Sequence, residues 1–355
     1  HGTDRVPRRS NHRGSPYPRR AGIVTGATRA DRTRPATRIG GRLSGRDRWS
    51  VGVFTALAFA LAWLVALPLW LGEGLASPWF PIVAAVMMLS PATAALVVVF
   101  FVERPPRKAW VLGLWPLTPV RRVLGYAALG VLVSIALVLV ALPVGALLGV
   151  YPADFAHFSG FEELLAEQVG ATQLPMSTGT LIAVQLAALP LAAFINLLPA
   201  LGEELGWRGW LLPKLMPLGA LPALLISGVI WAAWHAPVIL LGYNYPDAPG
   251  WLGMAAMAGL CIPIGAVFGW LRLRSGSVWP AALAHGAFNA AAGSYLLFAK
   301  AGEHVDTTQA TVLGWSGWIV PLVFVVVLLA AGQFDPAKHP AAPQSRRPAA
   351  GPIGP

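Results

Sequence analysis

Eight stretches of this sequence, each about twenty residues long, are continuously apolar. They fall at 51–71, 81–102, 123–148, 180–200, 220–241, 251–271, 278–298 and 313–332. A bilayer's hydrocarbon core is about 30 Å thick, and a helix needs about 20 apolar residues to cross it. Each run is therefore sized for one crossing. Charged residues make up 12% of the chain and apolar residues 56%; ordinary soluble domains carry about 25% charged. That balance cannot coat a globule in water. The runs do not alternate as membrane β-strands do, so the expected fold class is all-α: a polytopic transmembrane helical bundle of about eight spans.

The net charge of +11 raises nucleic acid as a partner, but its distribution answers otherwise. Thirteen of the 26 Lys and Arg residues lie in residues 1–50. Arg104, Arg107, Lys108, Arg121 and Arg122 sit between spans two and three, and Arg208 and Lys214 after span four. Arg272 and Arg274 follow span six, and Lys338, Arg346 and Arg347 follow span eight. The alternate loops carry acidic residues, among them Asp154, Glu162, Glu163, Glu167 and Asp247. Basic loops stay cytoplasmic, which places both termini in the cytoplasm and loop 149–178 outside. The charge is a topology signal. Its partner is membrane lipid, not nucleic acid, and the expected location is a bacterial plasma membrane.

Three regions follow. Residues 1–50, rich in Arg, Gly, Pro, Ser and Thr, cannot bury enough apolar surface to fold and form a basic disordered tail. Residues 51–335 form the transmembrane domain, with its polar motifs in 180–295, and residues 336–355 form a flexible tail. The stretch 161–168 has the composition of a short interfacial helix. Cys261 is the only cysteine, so a CxxC metal site and an internal disulfide are both excluded.

Ionisable groups in membrane helices are costly and mark functional sites by default. The first cluster is LGEELGWRGWLLPKL, residues 201–215. Glu204 and Arg208 are four apart and share a helical face; Glu203 is rotated by about 100° and stays free for chemistry. In span five His235 stands alone, with Trp231 one turn before it to pack on its ring and exclude water. In span seven His285 and Asn289 are four apart among alanines and glycines, small residues that let helices or a substrate backbone approach closely. Each cluster alone has a structural reading: a solvated salt bridge, a packed histidine, an interhelical hydrogen bond. Together they make a catalytic inventory. Glutamate and histidine can activate water, while histidine and an asparagine amide can donate to an oxyanion.

At these residues the chain resembles the CPBP family, the membrane proteases related to the type II CAAX prenyl endopeptidase and to bacteriocin-processing proteins. Its EExxxR motif appears as Glu203, Glu204 and Arg208, its FxxxH motif as Trp231 to His235 with Trp in place of Phe, and its HxxxN motif as His285 and Asn289. The resemblance implies an intramembrane endopeptidase acting on a peptide or protein substrate at the membrane. It implies that Glu203 and His235 activate water, that His285 and Asn289 hold the oxyanion, and that Glu204 and Arg208 support the site. It favours a glutamic mechanism with no cofactor. The alternative is zinc on Glu203, His235 and His285, which would leave a fourth position for water.

Two other functions fit the same bundle: a non-proteolytic immunity or scaffold protein, and a proton-coupled transporter. A transporter is expected to carry carboxylates deep in several spans, whereas here they cluster before Arg208. Counting residues along each span also sets His235 deeper than His285, a mismatch that helix tilt or a later start would have to remove.

Overall fold

The structure, a computed structural model, describes residues 41–169 and 176–340. Most of the expected N-terminal tail and residues 341–355 lie outside the described residues. What is described falls within one unit that begins at Ile39.

The chain enters as α1 (Gly45–Leu71). The Ser44 side chain accepts from Asp47 N at 3.0 Å, and Asp47 itself lies in the first turn, where the helix dipole favours an anion. These two signals start the helix six residues inside the segment that composition assigns to the tail. The second crossing is divided into α2 (Phe80–Met87) and α3 (Ser90–Val97), with a π-helical turn over Val98–Glu103. Pro91 forces the division, because a proline is tolerated in a first turn and not in a helix interior. After the short α4 (Lys108–Val111), α5 (Val120–Leu147) crosses as one rod. α6 (Ser159–Val169) realises the predicted interfacial helix.

The fourth crossing contains α7 (Thr178–Ile195), α8 (Leu197–Glu204), a π-helical stretch over Leu205–Leu211 and α9 (Leu212–Leu215). The fifth is α10 (Ala220–Trp234), continued past His235 by α11 (Ala236–Ile239). Then come α12 (Gly250–Ser275), α13 (Trp279–Ala292) and α14 (Trp315–Ala330). Five of these segments are long and apolar enough to cross a membrane alone, and α10 and α14 are shorter apolar helices. No β-strand occurs among the described residues. The fold is an all-α bundle of about eight crossings.

Large apolar side chains such as Leu64, Leu71, Phe101, Ile195, Leu198 and Val326 stand exposed along the helices. In water such a surface would aggregate; in lipid it is the required coat. This is an integral membrane protein. α12 runs through its centre, with every residue from Pro263 to Leu273 buried.

The two ends differ in charge. At one, Lys214 Nζ reaches Asp47 Oδ1 at 3.0 Å and Glu103 Oε1 at 2.8 Å, tying α9 to α1 and the end of the second crossing. At the other, Thr178 Oγ1 donates to Glu162 Oε1 at 2.8 Å and Gly302 N to Glu163 Oε2 at 3.0 Å. Backbone bonds from Asp154 N to Phe298 O (2.8 Å) and from Lys300 N to Pro152 O (2.9 Å) stitch the α5–α6 loop to the α13–α14 loop. The C-terminal segment also departs from the flexible tail expected of it. Pro336–Lys338 forms a 3₁₀ turn, and Arg274 Nη1 donates to Lys338 O at 2.8 Å.

Candidate functional site

Gly202 and Gly206 bracket the two glutamates and lie against the α2–α3 junction and the first turn of α3. A Cβ on Gly202 would stand 2.7 Å from Met88 O, and one on Gly206 would stand 2.5 Å from Pro91 Cβ. Glycine at both positions therefore lets this segment approach α3 backbone to backbone, the small-xxx-small device of membrane helices. Glu203 and Glu204 turn elsewhere, and they turn apart.

Glu204 is fully buried, and its Oε1 accepts from two directions: Arg208 Nη1 at 2.8 Å and His285 Nδ1 at 3.0 Å. The i,i+4 pairing read from the sequence is thus present. Arg208 is also fully buried, with its Cζ 4.2 Å from the Trp231 ring and 5.4 Å from Phe268. Those π-faces attract the cation, while its Nε and Nη2 lack hydrogen-bond partners among the described residues. Gly265 makes room for it: a Cβ there would fall 2.6 Å from Arg208 Nη2.

Glu203, 2% exposed, has no contact of this kind with a cation. Its Oε2 accepts from Trp231 Nε1 at 2.6 Å and Trp207 Nε1 at 3.4 Å, both neutral donors. One carboxylate is thus charge-paired and the other is held by dipoles.

His235 caps the C-terminal end of α10, its Nδ1 2.8 Å from Trp231 O. A carbonyl only accepts, so a proton is assigned to Nδ1, and in the neutral ring Nε2 is then the acceptor. Trp231 and Trp234 pack on its ring, with centroids 5.8 and 4.8 Å away. His285 Nδ1 faces a carboxylate, which assigns a proton there too, and Phe268 stacks on its ring at 5.3 Å. Trp231 stands at the hub. It donates to Glu203, lies against Arg208 and touches both histidine rings. The side chain of Asn289, one turn beyond His285 on α13, makes no hydrogen bond to any described residue.

The mismatch in depth disappears at the start of α13. Ser277 and Val278 are buried beneath the α4–α5 segment, with Ser277 Oγ donating to Gly113 O at 3.2 Å and Val278 N to the same oxygen at 2.9 Å. α13 therefore begins inside the bundle, and His285 reaches the level of Trp231 after less than two turns.

Glu203, Trp231, His235, His285 and Asn289 line one cavity of about 1240 Å³. Glu204 and Arg208 do not line it; they stand behind the wall. No group of three or more His, Cys, Asp or Glu side chains among the described residues is arranged to hold a metal ion. The alternative zinc set of Glu203, His235 and His285 lines this same cavity.

A family model described as type II CAAX prenyl endopeptidase, Rce1-like, matches residues 185–291, the stretch that supplies every one of these side chains. Over that stretch the chain is similar to the type II CAAX prenyl endopeptidases. The CAAX prenyl protease 2 of Methanococcus maripaludis is 31% identical over 87 residues, 23% of this chain and 32% of that protein. The match thus spans about a third of that relative's length. Within this site, Trp207, Trp234 and Phe268 are contacts that sequence reasoning missed. Trp207 carried a signal, standing four residues after Glu203 as Arg208 stands after Glu204. Phe268 carried none, since nothing in an apolar span marks which aromatic faces a histidine.

Proposed function

We propose that this protein is an intramembrane endopeptidase that cleaves membrane-associated peptides with a water activated by Glu203 and His235. The observation that carries the reading is the division of labour between adjacent carboxylates. Arg208 is engaged with Glu204 behind the wall, which leaves Glu203 in the cavity beside His235, whose neutral ring would offer Nε2 as an acceptor. A water between them can pass a proton to Glu203 as its oxygen attacks the scissile carbonyl. The new C–O bond makes a tetrahedral intermediate. Glu203 then returns the proton to the leaving amine as the C–N bond breaks.

The oxyanion falls to Asn289 and His285. The Asn289 amide has no competing hydrogen bond among the described residues and can donate directly. His285 can donate from Nε2 only when its ring carries a second proton, and Glu204 on Nδ1 supports that cation, as a carboxylate supports the imidazolium in hydrolytic triads. Arg208 and Trp231 position these groups. The mechanism we favour needs no metal, since Glu203 can take the water's proton while Asn289 and His285 hold the oxyanion.

The test is Glu203→Gln, which keeps size and hydrogen bonding and removes the base. Purified in detergent and assayed on a peptide library, it should insert as wild type does and show only background cleavage. Full retention of every cleavage product would leave the scaffold reading in its place.

A further inference from the structure

The cavity has a direction. From Glu203 and His285 it runs past Met88 and Asn196 to residues such as Leu75, Glu163, Glu167, Tyr243, Glu303 and His304. These belong to α6 and to the loops joining α1 to α2, α11 to α12 and α13 to α14. All of them lie at one end of the bundle. No residue of 104–122, 205–219 or 272–278, which form the opposite end, lines the cavity.

That opposite end is plugged. Trp234, in the cavity wall, packs on Trp207 at 5.9 Å; Trp207 meets Phe54 at 5.5 Å, and Phe54 meets Trp210 at 4.8 Å. Trp210 Nε1 then donates to Glu103 Oε2 at 3.3 Å, where Lys214 also binds. A column of buried aromatics thus fills the space between the cavity and the second end.

The ends also carry opposite charge. Among the described residues, twelve Lys and Arg lie at the plugged end and only Lys300 at the open end, while Arg208 is internal. Eight Asp and Glu lie at the open end, from Glu73 to Asp306. Short loops rich in Lys and Arg remain in the cytoplasm, so the plugged end faces inward.

We propose that the chamber opens on the non-cytoplasmic side of the membrane, and that its substrate is a peptide segment presented there: part of an exported polypeptide or an extracytoplasmic segment of another membrane protein. A substrate confined to the cytoplasm meets a closed floor. The access route stands on geometry and charge alone; the statement about substrate rests on the endopeptidase reading.

The experiment has two arms, both on the full chain in the plasma membrane of intact cells. The first uses single cysteines in a Cys261→Ser background and a membrane-impermeant thiol reagent. Glu303→Cys at the rim and Ala292→Cys in the chamber should be labelled before lysis, and Arg121→Cys only after it. Labelling of Arg121→Cys from outside, with Glu303→Cys protected, would overturn the proposal whether or not the protein cleaves anything. The second arm offers one reporter peptide anchored on either face. Cleavage of the exported reporter, blocked when a bulky thiol reagent fills Ala292→Cys from outside, is the expected result; cleavage of the cytoplasmic reporter alone overturns it. If neither is cut, the endopeptidase reading and the substrate claim fail together while the labelling still decides which face the chamber serves.

Discussion

Gly206→Ala adds one methyl group to a surface that touches no substrate, yet it should disable the site. The new Cβ would stand 2.5 Å from Pro91 Cβ and 2.6 Å from Pro91 O. Carbon atoms pack best at about 3.5–4.0 Å, so the two segments must part by about 1 Å. Neither side can yield cheaply, because Pro91 is a buried ring at the start of α3 and its oxygen is backbone. Overpacking of this kind costs about 1–3 kcal/mol, and the segment that moves carries Glu203 three residues away. A misplacement of about 1 Å at a reacting group costs about 10²-fold in rate. The expected phenotype is a protein that assembles, melts a few degrees lower and loses about 10²-fold in kcat. Gly52→Ala is the control: a Cβ at Gly52 meets nothing within 4 Å, and alanine there gains about 0.5–1 kcal/mol of helix propensity. The assay is kcat and KM on a fluorogenic peptide in detergent, beside a thermal melt. A Gly206→Ala enzyme indistinguishable from Gly52→Ala would refute the claim that backbone contact with α3 sets the position of the carboxylates.

Asn289→Ala should lower kcat by about 10²–10³ with KM little changed, since an oxyanion donor acts only in the transition state; a KM effect alone would make Asn289 a substrate-binding residue. Arg208→Ala leaves the Glu204 carboxylate buried without its cation, a loss of about 3–5 kcal/mol. It should fail at assembly, and Glu204→Gln in the same chain should restore yield without activity. Dialysis against a strong chelator should leave turnover unchanged; loss that zinc alone restores would recast Glu203, His235 and His285 as ligands. In the α5–α6 loop, backbone N–H groups, His157's foremost, hold the Asp154 carboxyl well below the usual carboxylate range. Because the folded value is depressed, this bond network is complete above the ordinary aspartate value of about 3.9 and is lost only as pH falls through the depressed one. Amide exchange at 156–159 should stay protected at about pH 3 and open in stronger acid; opening at the ordinary value would contradict it.

The bundle was legible because lipid imposes a rule that can be counted: one apolar run for each crossing. The motif residues were legible for the converse reason, as charges and imidazoles stand out against such a background. Glu204 with Arg208 could be paired from spacing alone. Where the reading failed, the deciding contacts were between elements distant in sequence. His285 belongs to Glu204, 81 residues away, and no periodicity reports that. The level of His285 depended on Ser277 and Val278 being tucked under Gly113, a packing fact invisible in a span-length count. The start of α1 was misplaced because bulk composition outweighed two local signals, Ser44 and Asp47. At Pro336–Lys338 a turn forms where composition suggests none, because Arg274 provides a partner that the proline-rich sequence does not disclose.

The aromatic column from Trp234 to Trp210 bears on the cell's energy supply as well as on the reaction. An enzyme that hydrolyses a bond within a membrane must admit water deep into an insulator, and every such recess thins the barrier that sustains the ion gradient. A recess open at both ends would conduct protons, helped by the very histidines and carboxylates that line it. Here the buried indoles of Trp207 and Trp210, with Phe54 wedged between them, turn the recess into a blind well. Their indole N–H groups are tied to Glu203 and Glu103, so no chain of exchangeable protons continues through the hydrocarbon between. The proposed hydrolysis and electrical insulation can then coexist in one bundle.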